Sequence, residues 1–123
     1  HDLRALDLRS ISMVTGDTGT PAPGGIITNY PNPFNPSTTI RVVLGDTERL
    51  TDGRHLSRDF QISIFDTGGR LVSELFRGRL GPGAYEFRWN GRDRAQRPCS
   101  SGVYFAVASS EGLMLKRKLI MLR

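Results

Sequence analysis

Apolar and polar residues along the chain alternate in short runs with a period of two, broken by clusters of Gly, Pro, Asn and Asp. The plainest run is Tyr85-Glu86-Phe87-Arg88-Trp89, which predicts a strand with its three rings inward and its two charges in water. Residues 38–44 are β-branched and put Ile40, Val42 and Leu44 on one face. Phe60, Ile62 and Ile64 alternate with Gln61, Ser63 and Phe65 in the same way. Residues 102–108 form a nearly continuous apolar run, the pattern of a strand with neighbours on both sides. A final long strand is expected over 113–122, while 71–76 reads as a short strand or one helical turn.

The punctuation fits the same picture. Asp66-Thr67-Gly68-Gly69 and Glu111-Gly112 supply residues suited to tight turns. Gly78 to Gly83 reads as a hairpin turn, residues 45–58 as a long polar hairpin-type loop, and 90–101 as another loop. Pro31, Pro33 and Pro36 forbid a helix and withhold three backbone donors, so their segment must be extended or turning, with Tyr30 and Phe34 free to enter a core. About seven strands and no amphipathic helix argue for an all-β protein, an antiparallel β-sandwich of immunoglobulin-like type. Such a domain takes ~100 residues, and residues 26–123 suit it. Residues 8–14 alternate as one isolated strand would, and 17–25 have linker composition. We therefore read 1–25 as the end of a preceding domain plus a tether.

Composition adds little chemistry. The net charge is +5, but the arginines are scattered beside carboxylates and glycines, which suits a solvated surface better than a nucleic-acid face. No stretch approaches the ~18 consecutive apolar residues of a membrane helix. The chain begins at His1 with no signal peptide, so it is expected to be a piece of a longer protein. Cys99 is the only cysteine, which excludes an internal disulfide and a paired-thiolate zinc site. It reads as a structural thiol at a strand edge, although Arg97 nearby leaves a low-pKa nucleophile conceivable. His1 and His55 lack the partners a catalytic histidine needs. Asp46, Asp52 and Asp59 follow no calcium-loop spacing and sit among Arg49, Arg54 and Arg58. Gly78 to Gly83 lacks the strand–loop–helix setting of a phosphate loop. Tyr85, Phe87 and Trp89 suit a sandwich core better than a platform for a sugar or base. No cofactor is expected.

Five blocks in order, NYPNPFNPSTTI (29–40), ISIFDTGGRLVSEL (62–75), GAYEFRWNGRD (83–93), SSGVYFAV (100–107) and KRKLIML (116–122), carry a resemblance. Together they resemble the type A C-terminal sorting domains of cargo exported by the type IX secretion (Por) system. That group is related to the immunoglobulin-like domain of the flagellar hook-capping protein. The resemblance spans about residues 27–123. Each block also suits its place: Phe34 can plug the core, Asn90-Gly91 can turn the chain sharply, and the Asp93 carboxylate can bind nearby backbone donors. Ser101-Gly102 is expected to permit a close approach as the chain enters its buried strand.

What the resemblance implies is a non-catalytic module that directs a larger exported protein through the outer membrane to the cell surface. It implies an outer-membrane translocon and a sortase-like protease as partners, with attachment to anionic lipopolysaccharide and no nucleic acid. A monomer is expected. The matching positions are Pro31, Asn32, Pro33 and Phe34, then Gly102, Val103, Tyr104 and Phe105, and finally Lys116, Lys118, Leu119, Ile120, Met121 and Leu122. A terminal strand with an exposed edge and a basic flank can be read by strand addition and charge. The loop 45–58 is longer than the family usually carries, and Cys99 stands where a small apolar residue is more usual. The alternatives are a structural or interaction module of the same fold (a spacer, an adhesin piece or a hook-capping-type assembly domain) and carbohydrate binding through Tyr85 and Trp89.

Overall fold

A computed structural model describes residues 20–22, 24–45 and 57–123. The strand expected over 8–14, His1, His55, Asp46, Asp52, Arg49, Arg54 and most of the loop 45–58 lie outside the described residues. Eight strands are present among those described: β1 (Thr20–Ala22), β2 (Gly25–Tyr30), β3 (Thr38–Leu44), β4 (Arg58–Asp66), β5 (Leu71–Leu80), β6 (Gly83–Trp89), β7 (Gly102–Ser110) and β8 (Leu113–Met121). They form two four-stranded sheets, ordered β1-β2-β3-β6 and β5-β4-β7-β8, with every pairing antiparallel. The architecture is the expected all-β, immunoglobulin-like sandwich. Six of its strands, β3 to β8, fall on the runs that the sequence marks, β2 is not marked as a strand, and β1 is a short addition at an edge.

That addition changes the expected boundary. Thr20–Ala22 ladder to β2, with Ala22 opposite Gly25, instead of forming part of a tether. Gly24 makes the tight turn between them with φ of 91°. A proline at position 21 is tolerated because an edge strand has a side that needs no donor.

The chain changes sheet between β3 and β4, between β5 and β6, and between β6 and β7. Two expected hairpins are therefore crossings. Gly78 lies within β5, and Gly81-Pro82 carries the chain across to the other sheet, while β3 and β4 do not pair at all. Local composition marks a turn but not the sheet it leads to. Residues 71–76 are strand, not helix. Their blurred periodicity comes from register shifts in the β4–β5 ladder between Ile62 and Ser63 and between Ile64 and Phe65, which break the alternation of faces.

The inward faces meet as predicted. Ile40, Val42 and Leu44 are buried opposite Phe60, Ile62 and Ile64, and β7 and β8 contribute Ala106, Ala108, Leu115, Leu119 and Met121. At one end Trp89 is 1% exposed and stands between Phe34, with ring centroids 5.7 Å apart, and Tyr104, at 5.2 Å and nearly edge-on. Its indole Nε1 donates to the Arg92 carbonyl at 2.9 Å, and the Tyr104 hydroxyl donates to the Ser100 carbonyl at 2.7 Å. Each ring thus buries its body while its polar atom is satisfied. Tyr85 and Phe87 are half-buried, and Glu86 and Arg88 are exposed, as the alternation requires. Tyr30 departs from expectation: it is 82% exposed. It follows Asn29 in β2, and Asn29 holds the inward position.

Trp89 is the only tryptophan, so its fluorescence reports the core directly. Emission should be blue-shifted and poorly quenched by acrylamide until the protein unfolds. Trp89→Ala should lower stability by about 3–5 kcal/mol in urea unfolding, the usual cost of deleting a buried large aromatic.

Candidate functional site

The positions marked by the resemblance come from three distant parts of the chain, and the fold gathers them at one corner of the sandwich. β8 is an edge strand, paired only with β7. That pairing sets Gly102 opposite Met121, Val103 opposite Ile120, Tyr104 opposite Leu119 and Phe105 opposite Lys118. On the other side of β8 lies the proline segment. Phe34 donates its amide to the Ile120 carbonyl at 2.9 Å and accepts from the Leu122 amide at 2.9 Å, a short parallel bridge. Asn32 extends it with its side chain. Its Oδ1 accepts from the Ile120 amide at 3.0 Å, and its Nδ2 donates to the Lys118 carbonyl at 3.3 Å.

The local sequence limits which groups of this segment can take part. Prolines at 31, 33 and 36 withhold their own amides, and between them Phe34 donates to β8 through its backbone and Asn32 through its side chain. The peptide bonds preceding all three prolines are cis. Phe34 points its ring onto Trp89 while its backbone completes the edge of β8, so one residue belongs to both the core and the ladder. Pro31 and Pro33 are exposed.

Placement divides the marked residues. Phe34, Tyr104, Leu119 and Met121 are buried and hold the corner together. Pro31, Pro33, Gly102, Lys116, Lys118 and Leu122 face water, with Asn32, Val103, Phe105 and Ile120 half-buried. The edge expected to be exposed is covered in part: from the Lys118 carbonyl to the Leu122 amide the outward backbone groups are bonded to Asn32 and Phe34. Gly102 also needs a different account. A Cβ there would meet nothing within 4 Å, so its requirement is its φ of 151° and not a close approach.

Beneath the corner lies a polar network that the sequence reading missed. Arg117, which lies between Lys116 and Lys118 in the block 116–122, is buried at 7% exposure and its Nε donates to Asn29 Oδ1 at 2.7 Å. Asn29 Nδ2 donates to Thr38 Oγ1 at 3.1 Å, and Thr38 Oγ1 donates to the Pro31 carbonyl at 2.8 Å. The signal was present in the parity of β8, since position 117 shares the inward face with Leu115, Leu119 and Met121.

Arg123 fastens the loop 90–101 to the same corner. Its amide donates to Ser101 Oγ at 2.8 Å, and its guanidinium donates to the carbonyls of Cys99 and Gly91. Gly91 is required here twice over, by its φ of 76° and because a Cβ would sit 2.6 Å from the Pro36 carbonyl oxygen.

Beside the corner, two loops repeat one geometry. Asp66 Oδ1 accepts from the amides of Gly68 and Arg70, both at 2.9 Å, and its Oδ2 pairs with Arg70 Nε at 3.1 Å. Asp93 does the same with the amides of Ala95 and Arg97 and the Arg97 guanidinium, as its predicted role as a turn anchor requires. Gly69 and Gln96, third after each aspartate, both adopt positive φ, 85° and 64°. The spacing Asp-x-x-x-Arg in both loops is the sequence signal for this pair.

The two loops line an open groove of about 1220 Å³ that also includes Cys99 and Tyr104. Its chemistry is quiet. Amide donation from Arg70 and from Arg97, joined by the Gly68 and Ala95 amides and the two guanidinium groups, outweighs desolvation and holds both carboxyls below the usual carboxylate range. Burial, and then the Asp93 charge, push the half-buried Cys99 thiol up, so Arg97 does not activate it. Among the described residues no group of three His, Cys, Asp or Glu could hold a metal ion, and no helix is long and apolar enough to cross a membrane. Asp59 pairs instead with Arg79 at 3.4 Å. Trp89, buried under Phe34 and Tyr104, presents no face to a sugar.

No family model matches the sequence, and no curated protein matches it. Solved structures do share the fold. PorU from Porphyromonas gingivalis, in a dimeric latent form, aligns with a TM-score of 0.56 and 20% identity, covering 78% of this chain and 9% of that one. PorZ of the same organism, an essential bacterial surface component of the type IX secretion system, aligns with a TM-score of 0.50 and 21% identity. That alignment covers 79% of this chain and 11% of PorZ. The likeness is one of fold, and the chain spans only a small part of the length of either protein.

Two outcomes follow from this geometry. Asn32→Ala removes both side-chain bonds to β8, and the amides of Ile120 and Leu122 should then exchange with deuterium at least about tenfold faster, while those of Leu115 and Ala106 change little. Lowered native pKa values at Asp66 and Asp93 stabilise the fold above the ordinary value of 3.8, and this contribution is lost as pH falls below 3.8 through the lower native values. Thermal melting from pH 6 downward should therefore show an acid-side fall in midpoint that is shallower in Asp66→Asn/Asp93→Asn.

Proposed function

We propose that this sandwich is a non-catalytic sorting module that directs a larger exported protein through the outer membrane to the cell surface by the type IX secretion system. The observation that carries the reading is the meeting of Pro31-Asn32-Pro33-Phe34 with Lys118 to Leu122, blocks 88 residues apart at the Asn32–Ile120 bond. Both belong to the five blocks that carry the resemblance to sorting domains, and they meet the start of β7 at one corner. The fold shared with parts of PorU and PorZ supports the same reading.

On this reading the partners are an outer-membrane translocon and a sortase-like protease, with anionic lipopolysaccharide as the eventual attachment. The module acts as a monomer, needs no cofactor, and reaches the surface through the periplasm. Its groups make binding chemistry and not bond-breaking chemistry: a rigid corner, a strand edge and two lysines. A structural module of the same fold is the second reading, favoured by the matched portions being small parts of much longer chains.

A fusion of the whole chain behind a periplasmic reporter, expressed in a host with the type IX machinery, tests the proposal. The reporter should appear at the surface or in the medium. Asn32→Ala should reduce export several-fold while the melting temperature of the purified chain stays within a few degrees of the parent's. Retention of the unaltered fusion in the periplasm would overturn the sorting reading in favour of a structural role.

A further inference from the structure

Among the described residues, one stretch of the β8 edge has no backbone partner. Backbone groups in an antiparallel strand point alternately to either side. In β8 the positions opposite Asn32 and Phe34, Lys118, Ile120 and Leu122, define the outward set. Continuing the alternation upstream through the unbroken register with β7 makes Lys116 and Met114 outward as well. Asn32 and Phe34 cover the edge only from the Lys118 carbonyl onward. The amides of Met114, Lys116 and Lys118 and the carbonyls of Met114 and Lys116 make no hydrogen bond among the described residues. β1 runs close to β8 but ladders to β2 alone.

The side chains of the same positions lie on the outer face of the sheet. Met114 is 65% exposed, and Lys116 and Lys118 are exposed beside it. Lys116 Nζ stands 4.7 Å from the centre of the Phe105 ring. Phe65, Phe105, Val107 and Met114 line an open, mostly apolar groove of about 350 Å³ along this face. The outer face of an antiparallel sandwich is ordinarily polar, so an apolar groove beside an open edge is an unusual combination.

We infer that residues 114–118 accept an extended segment of a partner protein as an added strand, and that this segment carries acidic side chains at alternate positions. The five backbone groups left open among the described residues supply the ladder. Lys116 and Lys118, two residues apart on one face, match two carboxylates spaced likewise on a neighbouring strand, where opposite charges attract and like charges repel. The same lysines disfavour a second copy of this chain, because symmetric pairing of two β8 edges sets lysine against lysine. The inference deepens the sorting reading by naming the chemistry of the partner, and it rests on that reading for the partner's place in export.

Titration of the isotope-labelled whole chain with two extended peptides, one alternating Glu with Val and one alternating Lys with Val, tests it by amide shifts. The acidic peptide should shift and protect the amides of Met114, Lys116 and Lys118 and leave Leu122 unchanged. Lys116→Pro removes an outward amide without touching the β7 ladder and should abolish binding, with the blue-shifted Trp89 emission showing that the fold survives. Lys116→Gln keeps the edge and should weaken binding by only a few-fold. Lys116→Glu/Lys118→Glu should favour the basic peptide by about tenfold. Equal binding of both peptides, shifts mapping away from β8, undiminished binding by Lys116→Pro, or pairing of two copies through β8 would each overturn the inference. The readout is independent of export. An exported domain with no edge binding sinks this inference alone, whereas periplasmic retention of the unaltered fusion sinks the sorting reading whatever the peptides do.

Discussion

The structure depends on Phe34 serving two layers at once. Its ring lies against Trp89 in the core and its backbone bridges Ile120 and Leu122 at the end of the last strand. A sandwich holds its sheets together through side chains, and its edges ordinarily have to be protected separately. Here one residue does both, and Asn32 beside it satisfies two more backbone groups of β8. The aromatic trio, the Arg117 network and the Arg123 clamp are arranged around that junction, so the corner that resembles a sorting signal is also the corner that closes the fold.

This coupling has a consequence for recognition. Buried members such as Tyr104 and Leu119 contribute shape and rigidity, since their side chains are out of a partner's reach. Exposed members such as Pro31, Lys116 and Lys118 supply the surface. On the proposed reading, a partner at this corner meets a folded object whose edge, among the described residues, is open only over a short upstream stretch. Restricting the open edge in this way also limits indiscriminate pairing with other strands, the usual hazard of a terminal edge strand.

The buried Arg117 shows how polar groups set register. Its guanidinium reaches across the sandwich to Asn29, which is tied in turn through Thr38 to the Pro31 carbonyl. Sliding β8 by one residue would turn Arg117 outward and bring Lys116 or Lys118 inward without that acceptor. The network therefore favours one alignment of the final strand, and with it the alignment of Ile120 against Asn32.

Sequence alone determined the elements whose causes are local. The period of two placed Ile40, Val42, Phe60, Ile62 and Trp89 inward, because adjacent side chains in a strand point to opposite faces. Asp93 was legible as a turn anchor because its partners lie within four residues. Tertiary structure decided what depends on distant partners. It sent the chain across sheets at Gly81-Pro82, joined Thr20–Ala22 to β2, turned Tyr30 outward, and put Arg117 in the interior. The bond between Asn32 and Ile120 spans 88 residues, and no local pattern encodes it. Periodicity records which face is apolar, but only the assembled sheets determine which backbone groups remain open.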